Sequence, residues 1–125
     1  MAKIAVFGSL LGLYFLYSFI VYTKGTENYI AVSAKEQLQI DKGKKLFQEY
    51  NCTSCHQLYG LGGYLGPELT TAYSDSSRGG LFMRAFLQGG GPRMPNFHFQ
   101  KEEIDAIISF LKYVDATATT YKAPQ

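Results

Sequence analysis

Apolar residues fill positions 4–22 without a single charge, and Lys3 and Lys24 bracket the run. A helix of that length rises roughly 28 Å at about 1.5 Å per residue, matching the ~30 Å hydrocarbon core of a bilayer. The pattern predicts a transmembrane anchor over residues 1–24. A cleaved secretory leader is the competing reading, but the run is longer than the apolar part of most leaders. Tyr22-Thr23-Lys24-Gly25 also offers no small-x-small cleavage site. Gly8 and Gly12 form a small-residue pair that permits close approach of a second helix. Beyond the anchor, residues 25–35 read as a polar linker, with Gly25-Thr26-Glu27-Asn28 as a helix stop. Leu38, Leu46, Phe47 and Tyr50 predict a helix over 35–50. A shorter helix over 81–87 must end at Gln88-Gly89-Gly90-Gly91-Pro92. The clearest amphipathic pattern runs over 102–114, where Ile104, Ile107, Ile108, Leu111 and Val114 recur at helical spacing and acidic residues crowd the start. No alternating strand pattern and no internal repeat is present. The expected architecture is all-α: one N-terminal transmembrane helix, then a small domain over 36–115 and a tail over 116–125.

The chain has 125 residues, with twelve basic and ten acidic side chains scattered along it for a net charge of +2. No basic stripe follows from that distribution, so nucleic acid is not an expected partner. The soluble part has little room for a core, yet positions 51–77 form a long irregular stretch rich in Gly, Ser and Thr. A loop that long in so small a domain is expected to wrap something.

Both cysteines fall in one window, Cys52-Thr53-Ser54-Cys55-His56. That excludes a disulfide framework pinning distant segments and spells the haem attachment motif. The two thiols add to the vinyl groups of one porphyrin, and the imidazole of His56 ligates its iron. A thioredoxin-like pair would need a strand-helix context, and a structural zinc site would need four ligands from a chain with two Cys and two His. The expected cofactor is one covalent haem c, which also supplies the apolar core that the residue count leaves short.

Met83, Met94 and His98 are the candidates for the sixth iron ligand. Met94, in Arg93-Met94-Pro95 after the Gly-rich break, is preferred. Met83 lies in a helical stretch beside Phe82 and Phe86 and reads as core, and His98 between two phenylalanines reads as a partly buried surface residue. A thioether ligand raises the reduction potential, as suits an electron carrier. The second ring nitrogen of His56 needs an acceptor, and a backbone carbonyl at Pro67 is the candidate support. Arg78, Arg84 and Arg93 are all candidate counter-ions for haem propionates, with nothing in the sequence to choose among them.

These residues resemble a class I cytochrome c: Gly43 and Phe47, the Cys52 to His56 motif, Gly66-Pro67 with Leu69, Met94-Pro95, then Ile107 and Phe110. The resemblance implies that the first and last helices cross at Gly43. The narrower likeness is to the cytochrome c subunit of respiratory nitric oxide reductase, carried by His56 to Thr70, the Arg-Met-Pro segment, the closing Glu102-Glu103-Ile104-Asp105 helix and the single anchor. Leu61 stands where that family would place an acidic residue between glycines. The resemblance implies a non-catalytic electron-transfer subunit in the cytoplasmic membrane with its haem domain on the periplasmic face. It would accept electrons from a soluble cytochrome c or a small copper protein and pass them to a multi-span partner holding haem b, haem b3 and non-haem iron, where NO is reduced to N2O. A free-standing anchored cytochrome, a subunit of another haem-copper oxidase, and a haem-based gas sensor are the alternatives.

Overall fold

The computed structural model describes residues 2–25 and 30–118. Most of the expected tail, and the centre of the expected linker, lie outside the described residues. Helix α1 (Ala2–Ile20) continues into a wider π-type turn over Val21–Gly25. Over Ala2–Lys24 the mean hydropathy reaches 2.1, so by length and composition this helix is able to cross a membrane. None of its residues is buried, and Ser9 and Thr23 return their hydroxyls to the carbonyls of Ala5 and Phe19.

Helix α2 (Ala34–Glu49) begins two residues inside the expected linker because Ser33 caps it. Ser33 Oγ accepts from the Glu36 N–H at 3.3 Å and Glu36 Oε2 accepts from the Ser33 N–H at 3.0 Å, a reciprocal box that satisfies two otherwise orphaned donors. The Ser33 N–H, and after it the Ser33 hydroxyl, which donates to Glu36 Oε2 at 2.9 Å, hold the Glu36 carboxyl below its ordinary range. The helix ends at Tyr50, and Asn51 turns the chain through a left-handed conformation (φ 50) that Asn tolerates better than most residues. Helix α3 (Gly80–Gly89) stops where Gly90 takes φ 71 and returns its N–H to the Phe86 carbonyl at 2.8 Å. Helix α4 (Lys101–Thr117) starts where the Gln100 N–H donates to Glu103 Oε2 at 2.8 Å, and it runs two residues into the expected tail.

The described chain is mostly helical, with one element that periodicity did not predict. Strands β1 (Gln57–Leu58) and β2 (Leu61–Gly62) pair antiparallel, Gln57 against Gly62 and Leu58 against Leu61. Tyr59 (φ 53) and Gly60 (φ 75) make the connecting turn, and two positive φ values are what a two-residue hairpin of this twist requires. Tyr is a costly choice there, and its side chain offsets the cost at long range: its hydroxyl reaches Thr117 Oγ1 at 2.7 Å on the last turn of α4.

The core lies between α2, α3 and α4. Ile40, Leu46 and Phe47 from α2 meet Ile104, Ile107, Phe110, Leu111 and Val114 from α4, with Met83 and Leu87 from α3 alongside. Phe47 and Phe110 pack tilted with ring centroids 5.5 Å apart, and Gly43 rests directly on the Ala106 carbonyl. Met83 is 7% exposed, the core residue its helical setting predicts.

A cysteine-histidine loop built for covalent haem

Cys52, Thr53 and Ser54 form a single 3-10 turn leaving α2. The N–H groups of Cys55 and His56 both return to the Cys52 carbonyl, at 3.2 and 2.9 Å, so both thiols and the imidazole stem from one tight backbone knot. The following chain folds back on that knot. Gly63 donates to the Thr53 carbonyl at 2.9 Å, Gly66 to Cys55 at 2.8 Å and Leu69 to Gln57 at 2.9 Å. Both cysteines are free and half-buried. Burial, reinforced by the neighbouring Cys55, pushes the Cys52 thiol up to about 11.

His56 Nδ1 lies 2.9 Å from the Pro67 carbonyl. A carbonyl accepts only, so Nδ1 carries the proton and Nε2 is left with its lone pair. Gly66 lies against the imidazole face: a Cβ there would stand 2.6 Å from Nδ1 and 2.9 Å from Nε2. The donor set of two thiols and one nitrogen, with a loop that spares no room beside the ring, fits an iron porphyrin.

The loop is held by a buried relay the sequence did not reveal. Thr70, 2% exposed, accepts the Tyr59 N–H at 2.6 Å and gives its own hydroxyl proton to Glu68 Oε1, which also takes the Thr70 N–H at 3.0 Å. Thr70→Val keeps the shape, leaves the Tyr59 N–H without its acceptor and takes from Glu68 one of its two hydrogen bonds to Thr70. Unfulfilled buried groups of this kind cost ~2 kcal/mol, so the urea midpoint should fall while Thr70→Ser stays near wild type. An unchanged midpoint for Thr70→Val would remove the relay from the account of the loop.

Met94 is half-buried against the core, and its backbone is fixed by a reciprocal pair with Gly91: Gly91 N–H to the Met94 carbonyl at 2.8 Å, Met94 N–H to the Gly91 carbonyl at 3.2 Å. His98 is exposed, with φ 56 and its N–H on Asn96 Oδ1 at 2.8 Å. The three arginines separate as well. Arg78 pairs with Asp75 at 2.6 Å and Arg84 with Asp105 at 2.6 Å, whereas Arg93 forms no ion pair among the described residues. The Ser77 hydrogen bonds, then Arg78, hold the Asp75 carboxyl far below its usual range, and Arg84 lowers Asp105.

Helices closing on one another around a Cys-x-x-Cys-His loop define a small protein organised about a covalently held haem. The chain belongs to the cytochrome c family, whose model matches residues 40–115, and its cofactor is haem c. It is accordingly an electron-transfer protein. Among relatives, a nitric oxide reductase subunit from Stutzerimonas stutzeri is 29% identical over 133 aligned positions covering 95% of this chain and 88% of the relative. Its counterpart from Halomonas halodenitrificans is 32% identical over 58% of this chain and 57% of its own length. A third, from Cereibacter sphaeroides, is 29% identical over 86% of the chain and 82% of the relative. The resemblance to that reductase's cytochrome, first carried by short motifs, thus extends along nearly the whole sequence.

Proposed function

We propose that this chain is the electron-entry subunit of a nitric oxide reductase, anchored in the cytoplasmic membrane by residues 1–24. The haem domain, expected over 36–115 and extended at its ends by α2 from Ala34 and α4 to Thr117, lies on the periplasmic face. The observation carrying this reading is the similarity to a nitric oxide reductase subunit across 95% of the chain, a span that takes in the apolar helix as well as the haem domain.

Haem c, when bound, supplies one-electron chemistry at its iron. Cys52 and Cys55 would hold it by thioether bonds, and His56 Nε2 and Met94 Sδ would ligate its iron. Pro67 fixes the tautomer and ring orientation of His56 through the Nδ1 hydrogen bond. Electrons arrive from a soluble cytochrome c or small copper protein and leave for haem b of a multi-span partner. That partner also holds haem b3 and non-haem iron, and there reduces two NO, with two electrons and two protons, to N2O and water. This chain contributes no bond-making step.

The test is isolation of the full-length chain from its native membrane in mild detergent. A stable complex containing haem b and non-haem iron and reducing NO is the expected result. Recovery as a lone monomer, or with a partner that reduces oxygen alone, would sink the proposal in favour of a free-standing carrier or an oxidase subunit.

A further inference from the structure

Met94 sits in a segment without regular structure between α3 and α4. Upstream its backbone is closed by the Gly91 pair. Downstream it is anchored inward by Phe97, half-buried, and Phe99, 9% exposed. Both rings meet a third from elsewhere in the chain. Tyr50 stands edge-on to Phe97 with centroids 5.4 Å apart at 77°, and edge-on to Phe99 at 4.6 Å and 67°, while Phe97 and Phe99 lie 5.4 Å from each other. These are the separations and tilts at which aromatic pairs attract beyond simple burial.

Tyr50 caps α2 and is separated from Cys52 by Asn51 alone. Its ring therefore fastens the segment after Met94 to the end of the helix that delivers the thioether cysteines. His98, between the two phenylalanines, takes φ 56 with its N–H on Asn96 Oδ1 at 2.8 Å, so the segment turns sharply between the two rings.

We propose that Tyr50 is a positioning residue for the sixth ligand, keeping Met94 on the iron by clamping Phe97 and Phe99. The proposal rests on the assignment of Met94 as that ligand. The tyrosine acts through its ring, which is 38% exposed, rather than through its hydroxyl.

The test uses the full-length holoprotein in detergent and reads two signals: the ferric thioether-to-iron charge-transfer band, and the rate at which carbon monoxide displaces the sixth ligand of the ferrous form. Tyr50→Ala should weaken the band and speed carbon monoxide binding about tenfold, the size expected from losing two edge-to-face pairs. Tyr50→Phe should match wild type in both. Tyr50→Leu keeps apolar cover without a ring, should behave as the alanine variant does, and replaces it if the latter fails to load haem. Wild-type band and rate in the ring-less variants, alongside a Met94→Ala variant that has lost the band, would overturn the clamp alone. Survival of the band in Met94→Ala would overturn the ligand assignment beneath it.

Discussion

Gly43→Ala should leave the chain barely folded. The new Cβ would overlap the Ala106 carbonyl and stand 2.9 Å from Phe110 Cβ. Ala106 is wholly buried and Phe110 nearly so, so neither is a flexible tip that swings aside. The only relief is for α2 to lift off α4, which opens a gap beneath Phe47, Ile104 and Ile107. Alanine is the better helix former by ~1 kcal/mol, but overpacking costs ~1–3 kcal/mol, and an overlap with buried backbone lies at the top of that range. The net loss is then ~2 kcal/mol, a large share of the ~5–15 kcal/mol that holds a domain together. Haem-loaded yield should collapse, and the denaturant midpoint of what survives should drop. A substitution at Gly89, where an added Cβ meets nothing within 4 Å, serves as control. A Gly43→Ala protein as stable as wild type would show that the two helices do not touch at this residue.

The second large effect is confined to the haem. Gly66→Ala would drive a methyl group to 2.6 Å from His56 Nδ1 and 2.9 Å from Nε2. The backbone at 66 cannot retreat without surrendering its 2.8 Å bond to the Cys55 carbonyl. The imidazole must therefore turn, and turning breaks its 2.9 Å hydrogen bond to Pro67. Losing such an outer partner costs roughly 10–100-fold in ligand affinity, and the clash adds to that. Cys52 and Cys55 are untouched, so the haem stays on the chain in denaturing gels while its low-spin absorption gives way to a high-spin spectrum. Pro67→Ala retains the carbonyl and should change the spectrum little. A low-spin Gly66→Ala protein would mean that His56 does not ligate the iron.

The sequence made α2, α3 and α4 readable because each buries a face at helical spacing, and the ends differed by one to three residues, most at the C-terminus of α4, which runs on from Val114 to Thr117. Ser33 with Glu36 was a capping signal lying in plain view. The β1-β2 hairpin was not readable: each strand has two residues, too few to alternate, and Tyr59-Gly60 lacks the Asn-Gly signature of such turns. Its stabilising contact, Tyr59 with Thr117, joins positions far apart in sequence, which no local pattern encodes. The same holds for Tyr50 with Phe97 and Phe99. At the site, Cys52, Cys55 and His56 stand out in the sequence because covalent haem attachment dictates their spacing, and the His56 to Pro67 hydrogen bond joins the pair expected from the sequence. The choice among Arg78, Arg84 and Arg93 was not legible, since it depends on which acidic groups the fold brings near, and Asp75 and Asp105 claim the first two.

The contact of Gly43 with Ala106 also closes the chain into a ring. Every residue assigned to the haem, from Cys52 to Met94, is threaded on the interval between those two points. Closing such a ring carries an entropic cost that grows only slowly with its length, and a cofactor gripped at several places around the ring lowers that cost further. Separation of α2 from α4 and detachment of the haem's grip on the ring are then thermodynamically coupled. A lesion at the helix crossing will present at the bench as a weak haem site, and haem deficiency as an unstable fold.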